Sequence, residues 1–151
     1  LGNATIVGAV TSGGYIAGKP VQGPGQGHAM GFSSYGPTRT GGQRPDVGAP
    51  GDIIRGARSK ADPVGSRTGY GDVGLTTLSG TSMAAPHVAG LIALYFNKLK
   101  AGGAAFPNAF PTSDEMRLKL RSAARPLNAG GTASWDNQRG CGVVDAALLL
   151  K

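Results

Sequence analysis

The sequence predicts an α/β fold in which a mainly parallel sheet is covered by helices, and three observations carry that prediction. Residues 4–10 (ATIVGAV) form a short, apolar, β-branched run of the kind that fills a strand buried on both faces. Residues 82–100 hold Met83, Val88, Leu91, Ile92, Leu94, Tyr95, Phe96 and Leu99, apolar positions on almost every face of a helix, which predicts a buried one. Thr112-Ser113-Asp114-Glu115 is a capping box that opens a second helix.

Taken in order, residues 4–10 give the first strand, and residues 11–29, with six glycines at 13, 14, 18, 23, 25 and 27 plus Pro20 and Pro24, read as a loop that excludes a regular element. Residues 30–34 and 52–57 read as short strands, separated by Pro37, Pro45 and Pro50, which punctuate turns. Residues 58–72 form a polar loop, and residues 73–78 a strand that delivers the chain to Ser82. In the second helix Met116, Leu120 and Ala123 make the inner stripe, Arg117, Arg121 and Arg125 fall on or near the outer side, and Pro126 ends it. Residues 145–150 read as a short closing helix, and no repeat or linker divides the chain.

The most informative stretch is Gly80-Thr81-Ser82-Met83-Ala84-Ala85-Pro86-His87-Val88-Ala89-Gly90. It places a serine at a loop-to-helix junction, where the free N–H groups of the first turn can receive a developing oxyanion. Thr81 or Ser82 is the expected N-cap, and the small side chains at Gly80, Ala84 and Ala85 leave space for a substrate backbone. Pro86 cannot donate to the Ser82 carbonyl, which distorts that turn.

This motif resembles the nucleophile motif of the subtilisin-like serine proteases, and the resemblance covers nearly the whole chain. Residues 6–10 (IVGAV), 32–37 (FSSYGP), 44–51 (RPDVGAPG) and 140–147 (GCGVVDAA) are similar to further motifs of that family, in the family's order. The resemblance implies that residues 1–151 are the C-terminal portion of a subtilisin-like three-layer fold, part of a single catalytic domain. It implies a serine endopeptidase working through an acyl-enzyme, with Ser82 as nucleophile, the Ser82 backbone N–H as oxyanion donor, and Gly80, Thr81 and Met83 next to the substrate. The family's catalytic Asp and His motifs and its oxyanion-hole asparagine are absent from this sequence; Asn3 comes too late in the pattern for that asparagine. The implied partners are therefore an upstream part carrying that Asp and His, and a peptide or protein substrate. His28, in a Gly-rich loop, and His87, where the family has a non-catalytic histidine, are not read as the general base.

Leu1 is not an initiator Met, and with 151 residues against a larger family domain the chain reads as a processed, nicked or truncated product, inactive alone. No apolar run approaches the roughly 18 residues of a membrane span, and the family implies a secreted protein. The net charge of +7 and pI near 10.0 raise the question of nucleic acid, but the Arg and Lys of residues 39–67 are scattered through loops and aromatics are 6%, too few for base stacking. The single cysteine forbids an internal disulfide, and Cys141 reads as a small packed thiol.

No cofactor is needed for the chemistry. The family allows a structural calcium held by loop oxygens, but Asp46, Asp52, Asp62, Asp72, Asp136 and Asp145 lack an Asp-x-Asp-x-Asp spacing and read as solvated carboxylates. Two other classes compete with this reading: a catalytically inactive, protease-derived interaction module, against which the intact Gly80-Thr81-Ser82 argues, and an α/β-hydrolase, whose Gly-x-Ser-x-Gly elbow is broken by Ala84.

Overall fold

A computed structural model describes residues 4–11, 15–16, 19–20, 28–57, 75–125 and 134–151. Of the sequence expectations, most of the 11–29 and 58–72 loops, with Asp62, Asp72, Val73 and Pro126, lies outside the described residues.

The central sheet has four strands: β1 (Val7–Val10), β4 (Val47–Pro50), β8 (Val143–Val144) and β7 (Ala124–Arg125), in the order β1-β4-β8-β7. β1 and β4 run parallel with Val7 opposite Val47, β4 and β8 are parallel, and only β7 is antiparallel to its neighbour. The fold is therefore α/β with a mainly parallel sheet, as the sequence predicts. β4 itself corrects the reading of Pro45 and Pro50 as turn punctuation, because Val47 and Ala49 are fully buried between β1 and β8. Pro45 precedes the strand and Pro50 ends it, so the prolines bracket the strand without breaking its ladder.

Residues 30–34 form a turn, with the Ser33 N–H donating to the Met30 carbonyl at 2.9 Å. The strand expected over 30–34 is not formed, and the buried Ser33 Oγ accepts the Ala9 N–H at 3.0 Å. The 11–29 segment also departs from expectation. β2 (Tyr15–Ile16) and β3 (Lys19–Pro20) form a two-residue antiparallel pair, with Tyr15 opposite Pro20 and Ile16 opposite Lys19.

The first long helix, α1 (Thr81–Ala101), packs on β1 and β4, and α2 (Ser113–Ser122) completes the core. The stripe predicted on α2 is observed: Met116, Leu120 and Ala123 are buried, beside Val47, Ala84 and Val88. Its capping box is formed, with the Thr112 N–H donating to Glu115 Oε2 at 2.7 Å and the Glu115 N–H to Thr112 Oγ1 at 3.3 Å. The closing helix α3 (Ala146–Leu149) is capped by Asp145, which accepts the Ala147 and Leu148 N–H groups.

Two expectations about the helices fail. Only Ala84 and Val88 of α1 are fully buried and Leu94 is 53% exposed, because β1, β4 and α2 cover only part of the helix surface. Arg121 does not face outward. Its Nε donates to Cys141 Sγ at 3.1 Å and its guanidinium lies 3.9 Å from Asp46.

Asp46 is likewise no solvated loop carboxylate: it is fully buried, pairs with Arg44 at 2.9 Å and accepts the Ile6 N–H at 2.9 Å, tying the entrance of β1 to that of β4. Asp136 and Asp145 are spent similarly, on Arg139 and on Arg125. Among the described residues no group of three His, Cys, Asp or Glu side chains converges as a metal site, and no helix is long and apolar enough to cross a membrane.

Candidate active site

The site is built where β4 hands the chain to α1. Gly51, just past β4, donates its N–H to the Val10 carbonyl at 3.0 Å and accepts the Gly80 N–H at 2.7 Å. Gly51 has to be glycine here, since a Cβ on it would stand 2.6 Å from Ala9 Cβ and 2.8 Å from the Gly80 carbonyl oxygen. The start of α1 is thus seated against the ends of β1 and β4.

Gly80, not Thr81 or Ser82, is the N-cap, and no side chain caps the helix. The Gly80 carbonyl accepts from both Met83 N–H at 3.0 Å and Ala84 N–H at 3.3 Å. With the backbone of Gly80 held by Gly51, the Ser82 side chain is not needed as a cap and is exposed on the first turn, where N–H groups lack intrahelical acceptors. Ala84 points the other way, into the core with no exposed surface, so its small size serves packing on Gly51 and the sheet and not substrate access.

The second wall of the site comes from a feature that the sequence reading did not assemble. β5 (Ile54–Ala57) and β6 (Leu75–Leu78) pair antiparallel as a separate two-stranded sheet, with Ile54 opposite Leu78. Each strand was legible, but a run of residues does not say which sheet it joins. Ile54, Gly56, Ala57, Thr76 and Leu78 from this pair face Ser82, Met83, Pro86 and His87 of α1 across a largely apolar cleft of about 410 Å³. The corner into β5 is fixed by Asp52, which accepts the Ser79 hydroxyl at 2.9 Å, while Ser79 Oγ accepts the Ile53 N–H at 2.9 Å. Ile53 there has φ of 52°, a left-handed conformation that costs a β-branched residue on the order of 1–2 kcal/mol.

Of the residues predicted to lie near the substrate, Ser82 and Met83 line the cleft; Gly80 and Thr81, the N-cap and first residue of α1, are not among its lining residues. His87 lines the cleft as well, but its Nδ1 is bonded to the Met83 carbonyl of its own helix at 2.8 Å. His28 stands outside it at the end of β1, with its backbone bonded to Thr11.

The model of the subtilase family, peptidase S8, matches residues 1–142. The chain belongs to the subtilase family. Fervidolysin of Fervidobacterium pennivorans is 37% identical over 110 residues, 68% of this chain and 14% of that protein. A serine protease/ABC transporter B family protein, tagB, of Dictyostelium discoideum is 46% identical over 59 residues, 36% of this chain and 3% of that protein. Among solved structures, fervidolysin, a keratinolytic enzyme related to subtilisin, superposes with a TM-score of 0.62 at 28% identity, over 98% of this subtilase chain and 19% of its own. The patellamide maturation protease PatA superposes with a TM-score of 0.65 at 24% identity, over 99% of this chain and 43% of its own, a likeness of fold. This subtilase chain thus spans under half of each of these relatives.

Proposed function

We propose that this subtilase chain is the C-terminal part of a single catalytic domain, residues 1–151, of a serine endopeptidase in which Ser82 is the nucleophile. The carrying observation is the exposed Ser82 at a helix start that no side chain caps, lining an open cleft. Ser82 Oγ attacks the scissile carbonyl carbon and its proton passes to a histidine supplied by the upstream part of the protein. The oxyanion takes the Ser82 N–H, the amine leaves with the histidine's proton, and water releases the acyl group. Gly80 and Thr81 shape the approach and Met83 borders the substrate. The peptide substrate and the upstream partner rest on family membership, as does secretion.

The exposed Leu94, Leu118 and Phe106, 53%, 60% and 79% accessible, support a further expectation that the chain is stable only alongside that upstream part. The test is peptide hydrolysis by the chain alone, by the chain with its upstream segment, and by that pair carrying Ser82→Ala. Activity is expected only in the second. Turnover by the isolated chain, or undiminished turnover in the substituted pair, refutes the assignment.

A further inference from the structure

At the far end of α1, sixteen residues and about 24 Å from Ser82, lies a second cleft of about 350 Å³ between α1, α2 and α3. Its rim carries the exposed Lys98, Lys119, Lys151 and Leu148, and the buried Leu149 and half-buried Leu99 lie at its floor beside the half-buried Tyr95. Among the described residues none of these lysines pairs with a carboxylate. Lys98 spends one of its three N–H donors on the Leu150 carbonyl, which holds the ammonium at the cleft and leaves two free. Lys119 lies over the Tyr95 ring at 5.7 Å. Glu115, one turn before Lys119, feels its charge, but the Glu115 carboxylate is engaged by Thr112 in the capping box.

A lysine in the last turn of a helix answers the helix dipole, which accounts for Lys98 on α1 and Lys119 on α2 singly but not for their meeting, with Lys151 beyond α3, at one concavity. We propose that this cleft docks an acidic peptide segment bearing an apolar side chain, with the side chain on the leucine floor and its carboxylates on the lysine rim. Charge complementarity carries the choice of an acidic ligand. The concave apolar floor favours peptide over a membrane surface, and the one aromatic ring, already covered by Lys119, offers little to a nucleic-acid base.

The experiment uses the full protein carrying Ser82→Ala and a fluorescent, end-blocked Glu-Glu-Leu-Glu-Glu peptide, followed by anisotropy over a salt series. Lys119→Glu is expected to weaken binding about tenfold, Lys119→Gln less, and Arg39→Glu, the same charge change elsewhere on the surface, not at all. Thermal unfolding establishes that each variant is folded. Equal weakening by Lys119→Glu and Arg39→Glu overturns the proposal, as does absence of peptide binding. Lys119-dependent capture of single-stranded DNA or phosphatidylserine vesicles in place of the peptide overturns it too.

Discussion

The Gly80 N–H donates to the Gly51 carbonyl at 2.7 Å, and through this bond the end of β4 sets the start of α1 and with it the position of Ser82. Gly51→Ala forces a methyl group to within 3 Å of Ala9 and of the Gly80 oxygen. The expected result is a stability loss of about 1–3 kcal/mol by denaturant unfolding, with turnover of the complemented enzyme falling about a hundredfold. Unchanged turnover would show that the seat of α1 on Gly51 does not set the reactive geometry.

A serine-directed fluorophosphonate should label the assembled protein at Ser82, because an activated hydroxyl attacks phosphorus as it attacks a carbonyl. Peptide mapping should find the adduct in the fragment containing Thr81-Ser82-Met83. Labelling chiefly at the exposed Ser34 or the buried Ser33 means that a different serine is the nucleophile.

His87→Gln should leave most of the turnover of the complemented enzyme intact. The ring is bonded through Nδ1 to the Met83 carbonyl, and five residues along a helix place it roughly 140° round from Ser82. A collapse of turnover in a variant with wild-type unfolding behaviour would bring His87 into the mechanism.

Asp46→Ala removes the buried acceptor of the Ile6 N–H and the partner of Arg44. Breaking one side of a buried pair leaves the other uncompensated, so a loss of about 3 kcal/mol is expected by thermal or denaturant unfolding of the complemented protein. A loss within experimental error would show that the entrance to β1 and β4 does not depend on this carboxylate.

Burial works against the charged form of Asp145, but the Leu148 N–H, the Arg125 guanidinium and the Ala147 N–H outweigh it and hold the carboxyl below its ordinary value of 3.8. The folded state therefore binds the proton less readily than the unfolded state. Its contribution to stability is present above the unfolded value and lost as pH falls through the lowered folded value. Asp145→Asn keeps an N-cap oxygen while removing the charge, so the variant should be less stable than wild type at pH 7, with the gap closing as pH falls below 3.8. A gap that stays constant from pH 7 to pH 3, measured by denaturant unfolding, would assign the effect to the cap and not to the charge.

The sequence by itself determined the α/β class, the strand at the start of the described chain, the Thr112 capping box and the Met116–Leu120–Ala123 stripe. Each is a local signal, written in residue type at a spacing of a few positions. It also singled out Ser82, because a loop-to-helix junction among small residues is a local pattern as well. Tertiary structure alone decided which runs pair, and so made 47–50 a central buried strand, turned 30–34 into a loop closed by Ser33, and paired β5 with β6 as the second wall of the cleft. It alone gave Gly80 and not Ser82 the N-cap, since the bond that frees the serine comes from Gly51, 29 residues earlier. Burial was decided there too: the same apolar α1 sequence is covered only where β1, β4 and α2 reach it, and Asp46 leaves water because Arg44, Arg121 and the Ile6 N–H meet it. Residue types fix what a side chain can do, but partners brought together from distant parts of the chain fix which of those options it takes.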